Sequence, residues 1–171
     1  IIFPGNGMQI SSKADGILLL SLISGRNPEF LIGQHVVAAP AIARSGISVL
    51  PTGYLLIEGG KSTAASYISN TCPIPEDQVA IITATALAGE QLGMKAIYLD
   101  CGSGANNSLS IEIIKTVSNR IKIPLIVGGG IRSIEEAQEK WNAGANVVVI
   151  GTAIEENLTL LEDFTKINED L

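Results

Sequence analysis

The sequence has 171 residues, of which 46% are hydrophobic and 16% are charged, a balance that excludes disordered and fibrous proteins. This length suggests one domain over residues 1–171. The net charge is −6 and lysine and arginine form no cluster, so nucleic acid is not an expected partner. An anionic ligand must therefore be held by a local set of donors and not by the overall field of the protein.

The cysteines and the apolar stretches bear on the cellular compartment. Cys72 and Cys101 have neither CxxC spacing nor neighbouring histidines, so we expect no disulfide framework, no zinc site and a cytoplasmic location. The longest apolar stretch, residues 16–23, is too short to span a bilayer, and no signal-peptide pattern is visible. The sequence also lacks the polybasic stretch that holds proteins on anionic membranes. Without a transmembrane segment, any membrane contact is expected to be peripheral.

Strand-like and helix-like segments alternate along the chain. Six apolar runs predict buried parallel strands: residues 1–3, 16–21, 49–57, 96–100, 125–127 and 147–150. Helical patterns follow them: residues 28–39, stopped or kinked at Pro40, then 79–92, 111–121, a segment from the capping box at Ser133 to Gly144, and 158–167. Such alternation indicates βα units.

Six βα units fit either a doubly wound sheet or a TIM (β/α)8 barrel that lacks two units. The dinucleotide pattern GxGxxG does not follow the first strand, and glycine-rich turns follow the last three strands, where TIM barrels bind phosphate. We therefore expect an α/β TIM barrel whose first two βα units, roughly 50–60 residues, are absent from this chain. The chain begins inside an apolar run and without an initiator Met, so it is expected to start partway through a longer protein.

The glycine-rich turns are the strongest candidate for a ligand site. They comprise Tyr98, Leu99, Asp100, Cys101, Gly102, Ser103 and Gly104 at one strand end, Gly128, Gly129 and Gly130 at the next, and Gly151 and Thr152 at the last. Several backbone N–H groups aimed at one point, together with the two hydroxyls, can hold a phosphate dianion without lysine. Each turn taken alone can equally be a tight βα connection, but three in succession favour phosphate binding.

Tyr98 and Asp100 are the candidate catalytic residues because, two positions apart on one strand, they share a face near its carboxyl end. A carboxylate there can orient a substrate hydroxyl or take its proton. A structural aspartate that accepts hydrogen bonds from loop amides is the alternative.

Other segments are open to two interpretations each. Pro51 and Gly53 interrupt a strand and predict a bulge or a close ligand approach, or a simple irregularity. Arg26 can reach a second phosphate or be a surface side chain. Residues 61–75 can be a lid, an oligomer contact or disordered. His35, the only histidine, is expected on the outer side of a helix and without a catalytic role.

A set of motifs in chain order resembles one enzyme family. These are Phe3-Pro4-Gly5, residues 20–28 (LSLISGRNP), residues 31–35 (LIGQH), residues 51–54 (PTGY), Tyr98-Leu99-Asp100 with residues 102–105 (GSGA), and residues 128–131 (GGGI). Together they resemble geranylgeranylglyceryl phosphate synthases, with the bacterial heptaprenylglyceryl phosphate synthases as close relatives. The resemblance covers nearly the whole chain.

The resemblance implies a TIM barrel that transfers a long prenyl group from its diphosphate to the C3 hydroxyl of sn-glycerol 1-phosphate, with Mg2+ as cofactor and a homo-oligomeric assembly. It places the glycerol phosphate at the three glycine-rich turns. It also implies that the metal ligands precede this segment, so we expect none within the chain. Asp100 and Ser48 stand where many relatives carry glutamate. Another phosphate-binding barrel enzyme, such as an isomerase or a flavin mononucleotide oxidoreductase, and a non-catalytic barrel subunit are the alternatives.

Overall fold

The computed structural model describes residues 1–5 and 9–167, and a parallel five-stranded sheet lies at its centre. The strands are β1 (Gly16–Leu22), β2 (Ser48–Leu56), β3 (Ala96–Asp100), β4 (Leu125–Gly128) and β5 (Val147–Val149). Their order in the sheet is the order in the chain, β1-β2-β3-β4-β5. The register aligns the carboxyl ends, since Leu56 pairs with Asp100, Asp100 with Gly128 and Gly128 with Val149.

This sequential order distinguishes the two folds that the sequence left open. A doubly wound sheet reverses its strand order at a switch point, whereas the wall of a TIM barrel adds each strand beside the previous one. The sheet therefore has the topology of a barrel wall. One predicted strand is wrong: residues 1–3 form only an isolated parallel bridge, Ile2 to Ile17, because the chain leaves the edge of β1 after one residue.

Seven α-helices follow or join the strands of the described chain: α1 (Gln34–Ser45), α2 (Ala64–Ser69), α3 (Val79–Gln91), α4 (Ile111–Ser118), α5 (Ile134–Asn142), α6 (Thr152–Glu156) and α7 (Thr159–Ile167). A π-helical turn, Glu29–Gly33, leads into α1. None of the described helices is both long enough and apolar enough to cross a membrane.

Two helical segments differ from the sequence-based prediction. Pro40 does not stop its helix, since α1 continues to Ser45 and ends at Gly46 in a left-handed conformation (φ 70°). Pro40 is exposed, so water can satisfy the carbonyl that its missing N–H leaves unpaired. The polar segment 61–75 contains α2, which is closed at its N-terminus by a capping box between Thr63 and Ser66.

The sheet is covered differently on its two faces. On the helix-covered outer face, Leu55, Leu99 and Val127 join helical residues in the main hydrophobic cluster. On the opposite, inner face, a second cluster contains Tyr54 and Tyr98 with Leu18, Leu22, Leu56, Ala96 and Ile126. Residues that alternate along a strand point to opposite faces, so Tyr98 and Asp100 lie on the inner face, as predicted.

Pro51 and Gly53 do not produce a bulge, because β2 keeps a continuous register with both β1 and β3. The glycine instead allows α3 to pack closely. A Cβ atom on Gly53 or on Gly89 of α3 would lie 2.8 Å from the Cδ1 atom of Ile23. The PTGY motif thus positions the next residue, Tyr54, on an uninterrupted strand.

Candidate active site at the carboxyl ends of the strands

The ends of β3, β4 and β5 meet at one cavity of about 450 Å³. Its lining includes Tyr98, Asp100, Ser103, Gly104, Gly129, Gly130, Gly151 and Thr152. The first and last of the three turns are in direct contact, with the hydroxyl oxygens of Ser103 and Thr152 3.2 Å apart. The structure therefore brings the three predicted turns together.

The backbone of these turns offers hydrogen-bond donors that the protein itself does not use. Within residues 1–5 and 9–167, the amides of Ser103, Gly104, Gly130 and Gly151 donate no hydrogen bond. Gly129 and Gly130 have φ angles of 85° and 75°, which side-chain-bearing residues rarely adopt. Two successive left-handed residues keep the chain close to Asp100, since a Cβ on Gly129 would lie 2.6 Å from its Oδ1 atom. Unpaired amides at a cavity wall are suited to an anion.

The carboxylate of Asp100 is buried beneath these turns, with 6% of the residue exposed. The amide of Gly102 donates to Oδ1 at 2.8 Å, and the hydroxyl of Tyr54 donates to Oδ2. Burial raises the pKa of Asp100 above its ordinary value, while the hydrogen bonds from Tyr54 and Gly102 act in the opposite direction. The group thus combines a fixed orientation with a basicity above that of an exposed aspartate.

Tyr98 forms the floor of the cavity. Its ring packs edge-on against Tyr54, with the ring centroids 5.3 Å apart, and 5.4 Å from the ring of Phe3. Its hydroxyl lies against Gly128, where any side chain would collide with it. Burial and the neighbouring Asp100 both raise the pKa of Tyr98, so the phenol stays protonated and can act as a hydrogen-bond donor.

Some predicted site residues do not line the cavity. Leu99 and Cys101 point into the outer core. Burial, followed by the charge of Asp100, raises the pKa of the Cys101 thiol to about 12, so it is not a nucleophile at neutral pH. Gly102 packs against Thr63 and gives its amide to Asp100, and Gly128 accommodates the Tyr98 ring. Gly102 and Gly128 therefore position Asp100 and Tyr98 without lining the cavity themselves.

The structure adds charged residues that the sequence analysis did not select. Lys61, Arg132, Glu155 and Glu156 line the same cavity. The Nζ atom of Lys61 lies 3.7 Å from the point where a Cβ on Gly104 would stand. Lys61 follows Gly59 and Gly60 after β2. This glycine pair at a further strand end was the sequence signal that could have identified Lys61 as a site residue.

Arg132 has a structural role at the rim. Its guanidinium donates to the carbonyl oxygens of Ala105 at 2.9 Å and Asn106 at 3.0 Å, which holds the β3–α4 loop against the β4–α5 loop. In the same loop, the amides of Asn106 and Asn107 donate to the carbonyl of Gly59 at 2.9 Å and 3.1 Å. The turns after β2, β3 and β4 are therefore joined to one another.

Three further candidates lie away from the cavity. The Arg26 guanidinium donates to the carbonyl of Gly25, its own neighbour, at 2.8 Å. The imidazole of His35 is not on the outer side of its helix, since Nε2 lies 2.8 Å from the carbonyl oxygen of Leu20 in β1. Ser48 begins β2, at the end of the sheet opposite the cavity.

The chain is similar in sequence to known enzymes of one family. The chain is 51% identical over 163 residues to a geranylgeranylglyceryl phosphate synthase of Chitinophaga pinensis, a match that covers 95% of this chain and 65% of that relative. It is 43% identical over 171 residues to the synthase of Korarchaeum cryptofilum, covering 100% of this chain and 70% of the relative. This chain thus spans about two thirds of the length of these relatives.

A solved structure shares the fold. The geranylgeranylglyceryl phosphate synthase of Thermoplasma acidophilum, crystallised with its substrate sn-glycerol-1-phosphate, superposes with a TM-score of 0.86 at 32% identity, covering 94% of this chain and 64% of that one. This likeness confirms that the five strands are part of a TIM-barrel-type enzyme fold. The PcrB family matches residues 1–168, which include every strand and all of the turns around the cavity. Sequence, topology and the joined strand ends agree, and the chain belongs to the PcrB family.

Proposed function

We propose that the protein to which this chain belongs transfers a long prenyl group from prenyl diphosphate to the C3 hydroxyl of sn-glycerol 1-phosphate. The observation that carries the proposal is the convergence of unpaired turn amides and a buried, oriented carboxylate on one cavity. Relatives that are 41–52% identical to this chain over the aligned residues carry the name of that synthase, and the Thermoplasma acidophilum enzyme binds sn-glycerol-1-phosphate.

The glycerol phosphate is held by its phosphate group at the glycine turns. The amides of Gly104, Gly130 and Gly151 and the hydroxyls of Ser103 and Thr152 supply donors without a large positive field. Lys61 adds a positive charge above Gly104. That charge matters because two carboxylates, Glu155 and Glu156, line the same cavity and oppose the binding of an anion.

Asp100 acts on the glycerol end of the substrate. The oxygen of the C3 hydroxyl attacks the allylic carbon of the prenyl diphosphate, the carbon–oxygen bond to the diphosphate breaks, and the hydroxyl proton passes to the Asp100 carboxylate. A positioned base typically contributes about 10²–10⁴-fold to such a step. Tyr98, protonated at neutral pH, can donate a hydrogen bond to the substrate from the floor of the cavity. The anchored phosphate limits the approach of the attacking oxygen.

A requirement for Mg2+ stays a prediction. No group of three or more His, Cys, Asp or Glu side chains in the described part of the chain is arranged to hold a metal ion. We expect a chelator to stop turnover in the intact protein and Mg2+ to restore it. Homo-oligomerisation and a cytoplasmic location are likewise predictions.

Incubation of the intact protein with labelled sn-glycerol 1-phosphate and prenyl diphosphates of several lengths tests the proposal. We expect a labelled product that extracts into organic solvent and that forms more slowly from the enantiomer sn-glycerol 3-phosphate. Asp100→Asn protein serves as the matched control, since it keeps the cavity and loses the base. Binding of glycerol phosphate without any lipid product, with every donor length, would refute prenyl transfer while leaving the phosphate site intact.

A further inference from the structure

We infer that Tyr54 is a positioning residue that fixes the Asp100 carboxylate for proton transfer, an inference that rests on the proposed function. Tyr54 is not among the residues that line the cavity, and 9% of it is exposed. It therefore acts on the substrate only through Asp100.

The position of the Tyr54 hydroxyl follows from the sheet register. Tyr54 pairs with Tyr98 on the neighbouring strand, and Leu56 pairs with Asp100, so Tyr54 lies one inner-face position before Asp100 on the adjacent strand. The edge-on contact with Tyr98, with centroids 5.3 Å apart, holds the Tyr54 ring. A tyrosine at this position is long enough to reach the carboxylate and donates its hydroxyl to Oδ2.

The carboxylate of Asp100 is held from both sides. Gly102 donates to Oδ1 at 2.8 Å from within the β3 loop, and Tyr54 donates to Oδ2 from β2. Each oxygen keeps one further lone pair to accept a hydrogen bond from a substrate hydroxyl. Without Tyr54, the side chain would be held by one donor and could rotate away from the attacking oxygen.

The same hydrogen bond favours the ionised form of Asp100 and lowers its pKa against the larger effect of burial. Loss of the Tyr54 hydroxyl should therefore raise the pKa of Asp100. The other titratable or charged groups around Asp100 are Tyr98 on its own strand, Cys101 directly after that strand, Lys61 after β2, Arg132 after β4, and Glu155 and Glu156 in α6. Tyr98 and Cys101 also interact electrostatically with Tyr54, and Tyr54→Phe keeps the ring that packs against Tyr98.

Tyr54→Phe in the intact protein, assayed with sn-glycerol 1-phosphate and a prenyl diphosphate, tests the inference. We expect kcat to fall about tenfold or more, with KM for glycerol phosphate changed by less than about threefold. We also expect the acid limb of the kcat/KM profile to move to higher pH. Thr52→Val is the matched control, because it removes another buried hydroxyl from the inside of β2, one that donates to Leu50 at 2.9 Å and does not contact Asp100.

Coupling to Asp100 gives a second readout. In an Asp100→Asn background, Tyr54→Phe should cause no further loss of turnover, because the carboxylate that it positions is gone. If Tyr54→Phe fails to fold, 3-fluorotyrosine placed at position 54 keeps the size of the side chain and strengthens the donor, which should move the acid limb to lower pH. An unmoved acid limb in the folded variants, or additive losses in the double variant, would overturn the inference. If the wild-type protein forms no lipid product at all, it is the proposed function that fails.

Discussion

Replacement of Asp100 by Asn separates catalysis from folding at this site. The asparagine side chain has nearly the same shape as that of aspartate, and both hydrogen bonds can be kept. Its oxygen can accept from the Gly102 amide, and its NH2 group can donate to the Tyr54 hydroxyl, which rotates to accept. The substitution thus removes a charge and a proton acceptor without opening a cavity.

The magnitude and sign of the stability effect follow from the pKa of Asp100. Burial raises that pKa above its ordinary value of 3.8, so the unfolded chain releases the proton at lower pH than the folded protein does. The contribution of Asp100 to wild-type stability therefore falls as pH rises from 3.8 to its folded pKa, by about 1.4 kcal/mol for each pH unit that separates the two pKa values. Asparagine has no such dependence.

We therefore expect Asp100→Asn to be as stable as the wild type at acidic pH and more stable at neutral pH, while kcat falls by about 10²–10⁴-fold. Thermal unfolding monitored across this pH range, together with steady-state kinetics in the intact protein, measures both quantities. Turnover within about threefold of the wild type would refute the catalytic role. A variant that is less stable than the wild type at neutral pH would refute the conclusion that burial raises the pKa of Asp100 by more than its hydrogen bonds lower it.

Three further substitutions test other parts of the structure. Gly151 lines the cavity, and a methyl group added there by Gly151→Ala would have no described atom within 4 Å. It should therefore obstruct the ligand and weaken glycerol phosphate binding, measured by calorimetry, without lowering the melting temperature. Lys61→Ala should weaken the same binding by about threefold to tenfold, with a smaller effect at high salt, whereas Lys13→Ala should not. Gly89→Ala should cost about 1–3 kcal/mol in denaturant unfolding, because its Cβ would lie 2.8 Å from Ile23.

Much of the fold was predictable because its signals are local. Each of the five strands is an apolar run, and the predicted ends differ from the observed ones by one residue or less. The capping boxes and glycine stops likewise mark helix ends through hydrogen bonds between near neighbours. The prediction of a strand at residues 1–3 was wrong, because an apolar run does not show how many of its residues pair with a neighbouring strand.

The site was only partly predictable for a related reason. The glycine turns and Asp100 stand out in the sequence because glycine-rich turns follow three successive buried strands and one of those strands ends in a carboxylate. Tyr54 and Lys61 appeared in the sequence only as members of longer segments, the PTGY motif and the polar loop 61–75, and nothing marked either one as a site residue. Their roles depend on the register between β2 and β3 and on the close approach of the β2 turn to the β3 turn.

The sequence by itself determined the alternation of strands and helices, the family and the position of the glycine-rich turns at the strand ends, since these depend on residue types at fixed spacing. The tertiary structure alone decided that the Asp100 carboxylate is held between a loop amide and a tyrosine from the neighbouring strand, and that a lysine lies over the rim. The physical reason is that hydrogen bonds and charges act over a few ångströms in space, and the tyrosine hydroxyl that reaches Asp100 comes from a residue 46 positions away in the chain.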